Sequence, residues 1–155
     1  MTMRAALTPS LMAALLAPWL AMAQPAPAPR TLEGGGLASP PTAALSPGIE
    51  DRGLLFISGQ LAYSAEARGI PPDMDVTAQT EVVMQRLDAI LRAEGLSLAN
   101  IVKVTIFLTD FNDFLTMNAV YSRWMREPFP ARTTIGVAFL PFRARVEIEA
   151  IARRP

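Results

Sequence analysis

Pro130-Ala131-Arg132-Thr133 and Val146-Glu147-Ile148-Glu149-Ala150-Ile151-Ala152 are the stretches that decide how this chain folds. Pro130 stops any helix arriving from the preceding segment, and the β-rich run from Thr133 to Phe139 predicts a strand with Arg132 at its start. A guanidinium at the end of a sheet is placed to receive an anion. In the second stretch Val146, Ile148, Ala150 and Ala152 alternate with Glu147 and Glu149, the period of a strand with one buried face. Two carboxylates therefore share the polar side of that strand, and one of them is available to work with Arg132.

Working outward, Ile101 to Leu108 predicts another strand, in which Val102, Val104, Ile106 and Leu108 alternate with Lys103, Thr105 and Phe107. Val76 to Glu94 predicts a helix: Val76, Thr80, Val83, Leu87, Ile90 and Leu91 fall on one face at three- and four-residue steps, and Gly95 ends it. A second helix runs from about Asp113 to Met125, with Phe114, Met117, Val120, Tyr121 and Trp124 as its apolar stripe and Asn112 or Asp110 as its cap. Leu54 to Gly59 reads as a short apolar strand and Leu61 to Ser64 as its return, before a polar loop that carries Gly69 and Pro71-Pro72. The order ββαβαββ gives an α+β fold, a mixed sheet with two helices packed on one face, because a crossover helix must cover the sheet between the strands it joins. Phe56, Phe107, Ile135 and Val137 would leave the other face apolar, which points to an oligomer.

Composition limits the chemistry. With 155 residues, 51% of them hydrophobic, the chain can bury one domain's core. Cysteine and histidine are both absent, so disulfides, thiolates, imidazole bases and the usual zinc sites are excluded, and catalysis has to use carboxylates, arginine, hydroxyls and backbone. Residues 1–23 have the pattern of a signal peptide: Arg4, then an apolar run interrupted by Pro9 and Pro18, then Ala21-Met22-Ala23 as a small-x-small cleavage site. Cleavage would place the protein in the periplasm or outside the cell. Lys+Arg and Asp+Glu number 14 each, and loss of Arg4 with the leader leaves 13 against 14, so nucleic acid is not favoured as a partner. Residues 24–42, rich in Pro, Gly and Ala, read as a linker, and the domain is expected over 43–155.

Ile57-Ser58-Gly59-Gln60, Gln79-Thr80, Ile101 to Leu108, Met117-Asn118-Ala119-Val120-Tyr121, Pro130-Ala131-Arg132-Thr133 and Glu147 to Ala152 occur in this order, and as a set they resemble the RidA family, also called the YjgF family. The likeness covers about Ala43 to Arg154. It implies a chorismate-mutase-like fold, a homotrimer with sites between subunits, and hydrolysis of enamine/imine intermediates of the 2-aminoacrylate type to 2-oxo acids and ammonia, with no metal or cofactor. It places the family's substrate-carboxylate arginine on Arg132 and its water-positioning glutamate on Glu147, with Asn118 matching the family's asparagine and Ser58-Gly59 a strand end that lines the cleft. A guanidinium holds a carboxylate through two parallel hydrogen bonds, and a carboxylate can orient or partly deprotonate water. Two positions depart from the pattern. Leu45 stands where the family's Gly-Pro-Tyr-Ser signature has tyrosine, and Thr134 stands where a cysteine often follows the arginine, still offering its backbone N–H. Loss of the tyrosine hydroxyl opens a second reading, a non-catalytic trimeric binder of small carboxylates.

Structural roles compete for the same residues. Arg132 could pair with Glu127, Glu147 and Glu149 with Arg143 and Arg145, and Asn118 with a neighbouring loop; for Glu149 the structural role is the expected one. Gly59 could mark a bulge, and Asp73-x-Asp75 and Asp110-x-x-Asp113 read as caps and turns, not as a cation site.

Overall fold

The computed structural model describes residues 27–39 and 44–155; the leader expected at 1–23 and the start of the domain expected at 43 lie outside the described residues. The strands are β1 (Arg30–Thr31), β2 (Gly48–Asp51), β3 (Leu54–Gln60), β4 (Ile101–Leu108), β5 (Ala131–Gly136) and β6 (Val146–Arg153), and the helices are α1 (Val76–Ala93) and α2 (Phe114–Trp124). One six-stranded sheet has the order β1-β2-β3-β6-β4-β5. All neighbours are antiparallel except β4 and β5, which α2 joins in parallel. Both helices lie on one face, so the fold is the mixed α+β arrangement read from the sequence.

α1 begins where the Asp75 carboxylate accepts the Ala78 N–H and ends where Gly95 takes a left-handed φ of 71°. Every residue of its expected apolar face is buried, against Leu55, Ile57, Val104, Ile106 and Ile148 of the sheet. α2 starts one residue later than expected, because a 3-10 turn over Phe111–Asp113, capped by Asp110, precedes it. Asp75 and Asp110 act as caps, and Asp113 accepts two hydrogen bonds of 2.8 Å from Arg145.

The structure corrects several boundaries. The hairpin partner of β3 is Gly48–Asp51 and not the expected return at Leu61 to Ser64, which contributes only a bridge from Ser64 to Gly69. Arg52 and Gly53 both have positive φ, the two-residue turn whose twist suits a hairpin. β5 takes in Ala131 and stops at Gly136, so Arg132 is the second residue of its strand and not a residue ahead of it. A register shift between Ile101 and Lys103 buries Ile101 and leaves Val102 exposed, against the simple alternation. Part of the expected linker belongs to the domain: Arg30–Thr31 pairs with β2, Leu32 is 3% exposed, and Arg30 bonds Glu50 and Glu94. Arg154, just beyond β6, bonds the same two carboxylates, tying the end of β6 to the segment at β1.

Candidate active site

Glu147 alternates with the buried Val146 and Ile148 of β6, so its carboxylate leaves the sheet on the face without helices. The adjacent strand makes room for it. Between Ile57 and Gln60 β3 shifts register against β6, and the bulge presents Gly59 to the Glu147 side chain. A methyl group at Gly59 would overlap Glu147 Oε1 and stand 2.8 Å from its carboxyl carbon, so only glycine lets the carboxylate lie there. Burial, then the charge of Glu149, pushes the Glu147 pKa above the ordinary carboxylate value. No cation pairs with Glu147 among the described residues, and the suggested partners Arg143 and Arg145 do not reach it.

Glu147 opens into a cavity of about 290 Å³ walled by Leu45, Gly59, Gln60, Tyr63, Arg86 and Phe142. Ser58 anchors the segment that carries Leu45: its Oγ donates to the Ser46 carbonyl at 2.8 Å and its N–H to the Pro47 carbonyl at 3.0 Å. Phe142, in a left-handed conformation with φ 58°, sets its ring 5.2 Å from that of Tyr63 along the cavity wall.

Arg132 is elsewhere. It pairs in register with the buried Val104 and so projects on the helix side, where its Nη1 donates to Asn118 Oδ1 at 2.7 Å. Its guanidinium carbon lies 5.1 Å from the Tyr121 ring centre and 5.9 Å from that of Phe114. Both rings lie within cation–π distance of the guanidinium, and most of its donors have no partner among the described residues. It makes no ion pair with Glu127 or any other carboxylate among the described residues. Two residues along the same face of β5, the Thr134 Oγ1 is buried with no hydrogen-bond partner among the described residues.

The residues singled out in the sequence thus fall into two groups. Glu147, Gly59 and Leu45 line the cavity, with Ser58 outside its lining and bonded to the segment that carries Leu45, while Arg132, Asn118 and Thr134 gather on the opposite face, beyond β4. Glu149 is exposed on the helix-free face. Sequence reading missed Arg86, Gln60, Tyr63 and Phe142. Only Arg86 carried a signal: with Gln79, Val83 and Ile90 it continues the three- and four-residue steps of the buried face, a cation where the period asks for an apolar residue.

Comparison with known proteins adds an independent line. A family model described as Endoribonuclease L-PSP matches residues 36–154. The 2-iminobutanoate/2-iminopropanoate deaminase of Escherichia coli is 39% identical over 118 residues, covering 72% of this chain and 91% of that protein. Two solved structures have the same fold: RidA from a Psychrobacter species, with a TM-score of 0.72 at 33% identity, and E. coli TdcF with bound serine, with a TM-score of 0.71 at 35% identity. Each alignment covers 81% of this chain and 99% of the other.

Proposed function

The chain belongs to the Endoribonuclease L-PSP family, the RidA or YjgF family, and from that premise we propose that it hydrolyses enamine/imine intermediates to 2-oxo acids and ammonia. The observation that carries the proposal is the pair of half-sites on opposite faces: a carboxylate beside a cavity and a guanidinium between aromatic rings beside a buried hydroxyl, each without a charged or hydroxyl-bonding partner among the described residues. Each half lacks what the other supplies. A closed ring in which the β5 edge and α2 of one copy cover the cavity of the next unites them in equivalent sites, and the state we assign is a homotrimer.

In such a site Arg132 grips the substrate carboxylate through the donors that Asn118 leaves free, with the Thr134 hydroxyl as a further contact. Glu147 orients a water and takes its proton as the oxygen bonds to the iminium carbon. Protonated Glu147 then gives its proton to the carbinolamine nitrogen, the C–N bond breaks as the hydroxyl releases its proton to solvent, and ammonia and the 2-oxo acid leave. We assign export to residues 1–23, and hence action outside the cytoplasm; mass spectrometry of the exported protein should find Gln24 first, and a retained Met1 would end that assignment.

Subunit mixing tests the composite site. Arg132→Ala and Glu147→Gln should each abolish or cut ammonia release, by about 10²- to 10⁴-fold for the second. Refolded together in equal amounts, the two variants should recover activity at about one site in four, because a site is intact only where the Glu147→Gln copy supplies Arg132 and the Arg132→Ala copy supplies Glu147. No recovery from hybrid trimers would refute a site shared between copies. Leu45 on the cavity wall keeps the binder reading open. That reading wins when Arg132 governs binding of a stable 2-oxo acid but no ammonia forms.

A further inference from the structure

Among the described residues, Arg86 is the one charged side chain on the cavity wall besides Glu147. It stands on α1 between the buried Met84 and Leu87, half-buried, with Leu37 and Ile90 near it in the wall. Two neutral acceptors hold it: Nε donates to Gln60 Oε1 at 3.2 Å and Nη2 to the Ala38 carbonyl at 2.9 Å. A guanidinium has five N–H donors, so donors remain for an occupant. Among the described residues no carboxylate lies within ion-pair distance of it, whereas Arg30, Arg92, Arg123, Arg145 and Arg154 each have a close acidic partner. The residues outside the described set contain no Asp or Glu, so they offer it no side-chain counter-charge. Burial accordingly pushes its pKa down, with no carboxylate pulling it back up.

Keeping an arginine half out of water without a counter-charge costs stability, and hydrogen bonds to an amide and a carbonyl do not need a charge to be made. Arg86 and Glu147 line one cavity yet form no ion pair, so an occupant can lie between them and touch both. We propose that Arg86 is a specificity-determining residue that receives a second anionic group, making the preferred substrates imines of 2-amino dicarboxylic acids. This rests on the hydrolase reading above. Arg132 of a second copy holds the carboxylate next to the imine, Glu147 directs water to the imine carbon, and the side chain runs into the cavity to place its terminal carboxylate on Arg86. The reaction balance is that of the simple imines: water adds across C=N, ammonia leaves, and a 2-oxo dicarboxylic acid remains.

The test compares imines made in situ by amino-acid oxidases from glutamate and from 2-aminobutanoate, following hydrolysis above the spontaneous rate. The wild type should favour the dicarboxylic imine in kcat/KM, and Arg86→Gln should reduce that preference by about 10- to 100-fold, mainly through KM. Arg86→Lys should restore part of it. A merely structural role, tying Ala38 to Gln60, predicts equal losses on both imines and an unchanged preference; that result, or no preference in the wild type, overturns the proposal. Calorimetry with 2-oxoglutarate and 2-oxobutanoate reads the subsite without turnover. Tighter binding of the dicarboxylate that Arg86→Gln abolishes upholds the subsite even where no ammonia is released and the hydrolase reading has failed, and equal binding of the two acids by the wild type refutes the subsite.

Discussion

Gly59→Ala should damage the site while sparing the fold. The backbone of Gly59 is not in the left-handed region, so alanine meets no backbone penalty there. The obstacle is the Glu147 side chain, whose carboxyl carbon would be 2.8 Å and Cγ 3.1 Å from the new methyl group, against about 3.4 Å for an ordinary contact. The carboxylate must therefore retreat by about 0.6 Å at its carbon and by more at its oxygen. Because the obstructing atoms are the end of a flexible side chain, the structural cost is that of a strained rotamer, about 0.5–1.5 kcal/mol, or a few degrees in Tm. Displacement of a water-positioning group on the scale of an ångström costs roughly 10²-fold in rate, about 2.7 kcal/mol in the barrier. Ammonia-release kinetics and thermal melts, each on Gly59→Ala with and without Glu147→Gln, measure both effects. If the methyl group acts through the carboxylate, it should add little to the loss already present in Glu147→Gln. Turnover within threefold of wild type, or a full further loss in the double variant, would refute the reasoning.

Two pH effects of opposite sign follow from the carboxylates. In the folded chain Glu147 keeps its proton to higher pH than in the unfolded chain, so its ionisation lowers stability as pH rises from the ordinary carboxylate range through the raised native value. Glu147→Gln should melt higher than wild type above that window and alike below it; a difference of the opposite sign in pH-series melts would show that the carboxylate is stabilised where it lies. Glu94 behaves the other way. Its hydrogen bond with Arg30, chiefly, and one from the Glu33 N–H hold its pKa below the ordinary value, so the stability it contributes is present above the ordinary range and lost as pH falls through the lowered native value. Glu94→Gln should cost about 1–3 kcal/mol at neutral pH, measured by denaturant titration, and the deficit should shrink in acid.

How much of this could be read from the chain alone depended on whether the signal was local. The interior of α1, the ends of β4 and the pattern of β6 follow from periodicity and capping, because Asp75, Gly95 and the alternation of Val146 to Ala152 act on their own neighbours. The edges of the sheet did not follow. Gly48–Asp51 and Arg30–Thr31 are short and lie beside Pro- and Gly-rich sequence, and they are strands only because β3 and the Glu50, Glu94, Arg30 and Arg154 cluster hold them. For the site, sequence supplied the residue types and, by resemblance, the roles of Arg132 and Glu147. That the two leave opposite faces of one chain was settled by registry across β4, a relation between residues far apart in sequence. The approach of Gly59 to Glu147 arises from a bulge that no single-strand pattern encodes, and the bare charge of Arg86 becomes visible only once the cavity it faces has formed. A linear sequence determines periods, caps and chemistry; which groups share a cavity, and which lack a partner, is decided by packing, since both depend on what the rest of the chain brings within a few ångströms.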